Sequence, residues 1–535
     1  MKKTSKIFLL MALICTLIFC GMVSASALDA KGKCGDNINY TYDAETGALV
    51  IKGKGEMYDY DDGKSPFYNS DIKSVTVKKG ITRVGSYAFE LCDELNKATI
   101  TDTVKAIGSS AFLGCGNLES IKLPKKLEKI GYGTFKDCFA LESITLPGNL
   151  KSIGGSAFSG CISLKSIIIP DSVTTVNSSA FVSCLSLETV EIGKNVNSLG
   201  LNTFGGCSNL KEITVDENNK NYASQDGALL NKDKTKLIKY ASNSPRTEYT
   251  MPNSVETIGE NAFAESSYLE KIRLSDNLEK ISLNAFFDCR SLKSITIPGK
   301  VSSILGDAFY WCSSLEEIKV AENNETYSAV NGVLFSKDKT TLIKYPEGKN
   351  TKAYAIPKSV RYIYINAFYD AKFEKVFFED NVLSIGENAF CSCDNLRSIT
   401  VPGSVKEIGS GAFMECSNLK TVTIGTGAEY IYDYAFADCS NLTEIELGAG
   451  LKRVYENAFE GCNNLSKVYF NGIKDQWNTV YVEDGNDCLV GASVEFVDKC
   501  NCHKTGFMGF IYKIQLFFWK LFKSNQYCIC GTVHY

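Results

Sequence analysis

Residues 153–170 read IGGSAFSGCISLKSIIIP, and residues 107–124 read IGSSAFLGCGNLESIKLP. The two stretches share an Ala-Phe pair, a cysteine three residues later, and alternating apolar residues before a final proline. Self-similarity of this kind predicts a repeat architecture, in which each unit buries its apolar edge against the next one.

The phenylalanine of this pair recurs through most of the chain, nearly always 23 residues after the previous copy. A fixed period in this range is typical of a solenoid built from stacked coils. The fourteen copies fall in three blocks: Phe89, Phe112, Phe135, Phe158, Phe181 and Phe204; Phe263, Phe286 and Phe309; and Phe368, Phe390, Phe413, Phe436 and Phe459.

Each unit contains a short pattern that predicts a β-strand. Leu164, Ile167 and Ile169 show it in the opening stretch, and alternating β-branched residues favour a strand with one buried face. Pro170 ends the strand because proline cannot donate to a β-ladder. A second apolar pair precedes the next Ala-Phe corner. We therefore predict about 14 coils of 23 residues, with a parallel β-sheet and short turn or helical corners.

The full unit, L-x-x-I-x-I-P-x-x-V-x-x-I-G-x-x-A-F-x-x-C, resembles the BspA-type (Treponema pallidum-type) leucine-rich repeat over roughly residues 70–497. This resemblance implies a leucine-rich repeat solenoid of the kind found in bacterial cell-surface and secreted proteins. It also implies adhesion to host matrix proteins, host cells or other bacteria.

The period breaks twice, between Phe204 and Phe263 and between Phe309 and Phe368, where the step is 59 residues. Each interval equals one period plus 36 residues. The two intervening segments are related to each other, and each has a Gly-flanked strand, a Lys-Asp-Lys turn and a second strand. We predict two β-hairpin inserts that project from the solenoid, at about residues 216–250 and 321–355.

The ends of the chain differ from the repeat. Residues 1–27 have lysines, an apolar run and Ala-Ser-Ala, which is typical of a signal peptide; a lipoprotein leader at Cys20 is disfavoured by the bulky Phe19. Residues 28–80 predict an N-terminal β cap with a degenerate first repeat, since an open terminal coil exposes its core. The solenoid then covers 81–470, a C-terminal cap 471–497, and a separate module 498–535.

Twelve cysteines occur three residues after an anchor phenylalanine. They fit a buried thiol or a disulfide between neighbouring coils, whereas a metal ladder needs a tetrahedral cluster that a flat stack of parallel side chains cannot form. Ser266 and Ala371 replace cysteine in two coils, which favours a small core residue. The cysteines occur in uninterrupted runs of six, two and four coils. All three numbers are even, which pairing in disulfides would also produce, so the disulfide alternative stays open.

The composition excludes several functions. A net charge of -4 offers no basic surface for nucleic acid. The only histidines, His503 and His534, lie outside the repeats, so no histidine-based catalytic site is available there. We expect no enzymatic activity and no cofactor in the solenoid.

One group of residues departs from the repeat in a way that indicates binding. Tyrosine replaces small or polar residues on the outer edge of several coils, and outward aromatic residues contribute strongly at interfaces. The alternative is that they only cover the coil edge. The candidate binding residues are Tyr362, Tyr364, Phe377, Tyr430, Tyr432, Tyr434 and Tyr455.

The C-terminal module places both histidines beside two Cys-x-Cys pairs that flank an apolar segment. These residues predict either a zinc site or disulfides, and the C-x-C spacing departs from the usual C-x-x-C of structural zinc. The apolar segment suits association with the envelope. The candidate ligands are Cys500, Cys502, His503, Cys528, Cys530 and His534.

Together these features predict a secreted or cell-surface protein that binds an extracellular protein or cell-surface ligand through its solenoid. The alternative is a structural scaffold of the cell envelope without a specific host ligand. The sequence sets neither the ligand nor the oligomeric state.

Overall fold

The computed structural model describes residues 28–497, and the chain divides into two units after Ser224. The strands of the first unit, the last of which reaches the boundary, are β1 (Lys31–Gly35), β2 (Ile38–Asp43), β3 (Ala48–Gly53), β4 (Gly55–Glu56), β5 (Ser74–Val77), β6 (Ile81–Val84), β7 (Lys97–Ile100), β8 (Ala106–Ile107), β9 (Ser120–Lys122), β10 (Lys129–Ile130), β11 (Ser152–Ile153), β12 (Ser166–Ile169), β13 (Thr175–Val176), β14 (Thr189–Ile192), β15 (Ser198–Leu199), β16 (Glu212–Val215) and β17 (Tyr222–Gln225).

The second unit continues with β18 (Ala228–Asn231), β19 (Lys236–Tyr240), β20 (Glu248–Thr250), β21 (Thr257–Ile258), β22 (Lys271–Arg273), β23 (Lys280–Ile281), β24 (Ser294–Ile297), β25 (Ser303–Ile304), β26 (Glu317–Val320), β27 (Tyr327–Val330), β28 (Val333–Ser336), β29 (Thr341–Lys344), β30 (Ala353–Ala355), β31 (Tyr362–Ile363), β32 (Lys375–Phe377), β33 (Ser384–Ile385), β34 (Ser398–Val401), β35 (Glu407–Ile408), β36 (Thr421–Ile424), β37 (Tyr430–Ile431), β38 (Glu444–Gly448), β39 (Arg453–Val454), β40 (Lys467–Asn471), α1 (Lys474–Trp477), β41 (Tyr481–Val482), α2 (Asp487–Val490) and β42 (Ser493–Phe496).

Most coils contribute one longer and one shorter strand to two separate parallel sheets, which we call the long-strand and short-strand sheets; residues 141–147, at the long-strand position of their coil, form no strand. In the first unit β12, β14 and β16 form part of the long-strand sheet, and Ile167 pairs with Val190 in register. The short-strand sheet there follows the order β4-β6-β8-β10-β11-β13-β15. The parallel solenoid is therefore confirmed, and the second apolar pair of the repeat forms a sheet of its own.

The buried face of each strand is the one that the repeat pattern predicts. Ile167 and Ile169 are 1% exposed, whereas Ile168 between them is 60% exposed. Pairing between coils satisfies the backbone donors and acceptors of both sheets, so the apolar side chains line a dry interior.

The anchor phenylalanines form a column of stacked rings inside the coils. Phe158 lies between Phe135 and Phe181, with ring centroids 5.3 and 5.2 Å apart. These separations match the distance of about 4.8 Å between neighbouring strands, because each coil supplies one ring. The column fills the interior at the Ala-Phe corner.

The corners are turns and contain no helix in residues 28–497, where α1 and α2 near the C-terminal end are the only helices. Of the turn or helical corners that the sequence predicts, the described coils therefore have turns. In nearly every coil the residues two positions before and two positions after the anchor have left-handed backbone, as at Ser156 (φ 52°) and Gly160 (φ 74°). Left-handed residues break a right-handed helix, and the conformation explains why Asn, Ser and Gly occur at these positions.

The two insert hairpins are present, but they do not project from the solenoid. In the second insert β28 pairs antiparallel with β29, and β29 pairs in parallel with β31 of the next coil. The first insert repeats this arrangement with β18, β19 and β21. The last strand of each hairpin thus belongs to the short-strand sheet, because its apolar residues face the same interior.

Each insert also completes a coil that the phenylalanine pattern does not reveal. Tyr240 and Tyr345 lie 23 residues before Phe263 and Phe368 and stack on them, at 5.2 and 5.4 Å. Phe67 stacks in the same way on Phe89 at 5.5 Å. In each interval a tyrosine therefore takes the anchor position of one further coil. That coil accounts for 23 of the 36 additional residues, and only 13 residues are inserted into the repeat.

The N-terminal β cap is confirmed. β2 and β3 form an antiparallel hairpin, and β3 pairs in parallel with β5, the degenerate first repeat strand. At the other end, residues 471–497 add β41 to the short-strand sheet and β42 to the long-strand sheet. The predicted signal peptide 1–27 and the module 498–535 lie outside the described residues.

The twelve repeat cysteines are buried free thiols. Each Sγ donates a hydrogen bond of 3.0 to 3.2 Å to the backbone carbonyl of the anchor aromatic residue in the preceding coil, as Cys161 does to Phe135. Ser266 and Ala371 are equally buried, but the Ser266 hydroxyl has no hydrogen-bond partner among the described residues. The position therefore requires a small buried side chain, and in the twelve coils with cysteine the thiol also reaches this carbonyl.

We expect these thiols to resist alkylation in the native protein. Burial raises the pKa of Cys161, so little thiolate is present at neutral pH. Iodoacetamide treatment followed by peptide mass spectrometry should modify the half-buried Cys488 and leave Cys161 unmodified. In denaturant without reductant, Cys161 should be modified fully. A requirement for reductant would instead establish the disulfide alternative.

Candidate protein-binding surface

The outward residues of the short-strand sheet form a continuous row in the second unit. β31, β33, β35, β37, β39 and β41 are neighbours in parallel register. The first residue of each strand faces outward and the second faces the core: Tyr362 is 45% exposed, whereas Ile363 is 2% exposed. The outward row is Tyr362, Ser384, Glu407, Tyr430, Arg453 and Tyr481.

Five residues of this region form a contiguous group, Tyr430, Tyr432, Arg453, Tyr455 and Tyr481, which we call the tyrosine cluster. Tyr432 and Tyr455 stack with centroids 4.8 Å apart and planes 18° apart. The ring of Tyr430 lies 6.3 Å from that of Tyr432. The parallel register explains the contact between Tyr432 and Tyr455, because the residues two positions after a pair of strand neighbours also lie side by side.

Arg453 joins the cluster to the last coil. Its guanidinium carbon lies 4.5 Å from the ring centroid of Tyr455 and 5.1 Å from that of Tyr481. The Arg453 Nε also donates to a Glu483 oxygen at 2.7 Å. Two aromatic faces and one carboxylate therefore hold this cation beside the tyrosines.

The structure places the other sequence candidates at three different locations. Tyr362 and Tyr364 lie on the same sheet, three strands or about 14 Å from Tyr430. Tyr434 lies at the following corner with left-handed backbone (φ 57°), and its hydroxyl accepts from Asn457 at 3.1 Å. Phe377 is 54% exposed but belongs to β32 of the long-strand sheet. It therefore forms no common surface with the tyrosines.

The sequence pattern missed Arg453, Tyr481 and Glu483. Arg453 occupies the same position in its coil as Tyr430, so a comparison of this position coil by coil would have found it. Tyr481 and Glu483 follow the last phenylalanine anchor, so there is no further repeat unit with which their positions can be aligned. Only the strand pairing of β39 with β41 brings them to the cluster.

A second aromatic group, also missed, lies at the corners that follow the anchors. Tyr310 contacts Phe287, Trp311 and Tyr369, with a centroid distance of 4.4 Å to Tyr369. These rings are half-buried. They lie beside a buried ion pair that is associated with the second insert, so we interpret them as covering that pair.

The buried ion pair joins Lys344 and Glu347, which are 8% and 1% exposed, at 2.9 Å. Trp311 N also donates to Glu347 at 3.0 Å. Burial raises the pKa of Glu347, and the Lys344 charge and hydrogen bond oppose that effect. A neighbouring cavity of about 30 Å³ is lined by Asp307, Lys344 and Asn366 among others, and it has room only for a water molecule or two.

Other kinds of site find little support in the described residues. Within residues 28–497 no group of three His, Cys, Asp or Glu side chains is arranged to hold a metal ion. Over the same range no helix has both the length and the apolar character needed to cross a membrane. The candidate ligands Cys500, Cys502, His503, Cys528, Cys530 and His534 lie outside the described residues.

The fold and the exposed sheet define a leucine-rich repeat protein, a class of solenoid that is typically non-enzymatic. The family model described as BspA type leucine-rich repeat region (6 copies) matches residues 63–155, 128–243, 236–359 and 361–479. The chain belongs to the BspA-type leucine-rich repeat family.

Several solved structures of bacterial repeat proteins are similar to this chain. A leucine-rich repeat protein from Eubacterium ventriosum is 24% identical, with a TM-score of 0.42, over 81% of this chain and 95% of its own. A leucine rich cell surface protein from Faecalibacterium prausnitzii is 24% identical, with a TM-score of 0.44, over 84% and 97%. A leucine-rich repeat protein from Bacteroides ovatus is 25% identical, with a TM-score of 0.37, over 87% of this chain and 99% of its own. No curated protein sequence matches the chain.

Proposed function

We propose that this protein is secreted or displayed at the cell surface, where it mediates adhesion by binding an extracellular protein or a cell-surface ligand. The observation that carries the proposal is the tyrosine cluster. Tyrosine and arginine are the residue types enriched where single side chains dominate binding energy, and rigid rings lose little entropy on binding. Membership of the BspA-type family and the signal-peptide pattern of residues 1–27 support the proposal.

The tyrosine cluster suits a macromolecular partner better than a small molecule. It lies on an open sheet face, whereas small ligands prefer enclosed pockets that bury most of their surface. Tyr362 and Tyr364 extend the aromatic character along the same sheet. A partner that spans both groups contacts six neighbouring strands.

We expect the double variant Tyr432→Ala/Tyr455→Ala to lower binding to cultured host cells and to an immobilised matrix extract at least about 30-fold, because each ring is a central contact. Cell-associated fluorescence of the labelled full chain measures this. Phe377→Ala is the control, since it removes an exposed aromatic ring from the other sheet. Unchanged binding by the double variant would contradict the proposal; altered envelope integrity alone would then favour the scaffold alternative.

A further inference from the structure

The tyrosine cluster shows within its own structure how this surface holds a cation. The Arg453 guanidinium lies against the rings of Tyr455 and Tyr481 and bonds to the Glu483 carboxylate. Two aromatic faces and one acid thus surround a planar cation. This arrangement shows which groups hold a guanidinium on this sheet.

The next strand pair along the same sheet brings two tyrosines beside an acid. Tyr430 pairs in register with Glu407 of β35. Glu407 is exposed, and its charge contributes to raising the pKa of Tyr432, after the larger effect of burial. Among the described residues no ion pair includes Glu407. Tyr430, Tyr432 and Glu407 therefore place two aromatic rings and one unpaired carboxylate together, which is the composition that surrounds Arg453.

The surrounding charges favour a positively charged partner. Three further carboxylates lie on this surface: Asp433 and Glu456 directly follow Tyr432 and Tyr455 in the chain, and Glu387 occupies the same position in the coil of β33. In residues 28–497 no ion pair includes any of them either. The two lysines Lys406 and Lys452 share one carboxylate, Glu429, at 3.7 and 2.6 Å, so they leave a single uncompensated positive charge against the four unpaired acids. The surface thus retains an excess of unpaired acids beside aromatic rings.

We propose that the tyrosine cluster, with Glu407, binds an arginine-bearing, positively charged segment of a partner protein. This inference rests on the proposed function, because it names the chemistry of the partner at that same surface. Arginine fits better than lysine, since its planar guanidinium stacks on tyrosine while it bonds to a carboxylate. An anionic membrane or a nucleic acid is repelled by the same carboxylates.

The experiment uses the full chain and three labelled ten-residue peptides in which glycine alternates with arginine, lysine or glutamate. Fluorescence anisotropy measures binding at low and at moderate salt. We expect the arginine peptide to bind several-fold more tightly than the lysine peptide, and the glutamate peptide to show no binding. Equal binding of the arginine and lysine peptides would overturn the preference for a stacked guanidinium, and with it the proposal.

Matched variants locate the site. Glu407→Gln and Tyr432→Ala should each weaken binding of the arginine peptide about tenfold. Glu374→Gln removes the same charge from an exposed residue beside β32 of the other sheet and should leave binding unchanged. An equal loss with Glu374→Gln would show non-specific attraction and reject the site. Circular dichroism confirms that each variant is folded.

The outcome separates this inference from the proposed function. If the Tyr432→Ala/Tyr455→Ala variant loses binding to cells while no arginine peptide binds the native chain, the surface binds a partner of another chemistry. The proposed function then stands and the cationic partner is rejected. If the arginine peptide binds at Glu407 but the double variant still binds cells, adhesion uses a different surface.

Discussion

Replacing Phe158 by alanine is expected to lower the free energy of unfolding by about 3 to 5 kcal/mol. Phe158 is fully buried, and its ring lies between those of Phe135 and Phe181. Removing the ring leaves a cavity that the flanking coils cannot fill, because their backbones are held at a fixed spacing by two parallel sheets. The variant therefore loses ring contacts on both sides as well as apolar burial.

Urea unfolding of the full chain, followed by circular dichroism, measures the loss. Hydrogen exchange with mass spectrometry locates it, and faster exchange should concentrate in residues 130–185, since each coil contacts only its neighbours. Ile168→Ala is the matched control from the same coil, because the Ile168 side chain is 60% exposed and should change stability by less than about 0.5 kcal/mol. Equal effects from the two substitutions would refute the role of the aromatic column.

Glu90→Gln is expected to remove a pH dependence of stability at the N-terminal cap. Glu90 is 2% exposed, and its carboxylate accepts from Gly63 N at 2.8 Å. Burial is the main cause that raises its pKa to about 7 from an ordinary value of 4.5, and the neighbouring Asp62 adds to the increase. The folded protein therefore holds this proton more tightly than the unfolded chain does.

The sign of the effect follows from that difference. The stabilisation by the protonated acid is fully present below pH 4.5 and is lost as the pH rises through about 7. A shift of this size corresponds to roughly 3 kcal/mol. Glutamine resembles the neutral acid and keeps an oxygen that accepts from Gly63, so the variant should retain at pH 8 the stability that the native protein loses.

Thermal unfolding at several pH values between 4 and 8 tests this expectation, and the difference between the native and variant profiles isolates Glu90 from other titrating groups. Glu119→Gln is the control, since it makes the same chemical change at an exposed residue of the same unit. If the two variants have the same pH profile, burial of Glu90 does not control the stability of the cap.

Much of the fold is predictable from the period alone. The 23-residue spacing identifies the coils, and the alternation at Ile167, Ile168 and Ile169 identifies the buried and exposed faces. This works because every coil makes nearly the same contacts with its neighbours, so a local pattern reports a tertiary environment that repeats. The hairpins of the two inserts follow from their turn residues for the same local reason.

The sequence pattern was less informative where the interior accepts a chemically different residue. Tyr240 and Tyr345 take the anchor position without an Ala-Phe pair, so the pattern counted their coils as inserted chain. The cysteine position was interpreted only as small, because the hydrogen bond from Cys161 reaches a carbonyl in the preceding coil. A donor and an acceptor 26 residues apart have no signature within one repeat.

The sequence by itself determined that this is a BspA-type leucine-rich repeat solenoid and that several tyrosines face outward. Only the tertiary structure decided which of them act together: Phe377 lies on the other sheet, whereas Arg453 and Tyr481 join Tyr430, Tyr432 and Tyr455. The physical reason is that an inward side chain has the same neighbours in every coil. The neighbours of an outward side chain depend on which strand, in which register, lies beside it.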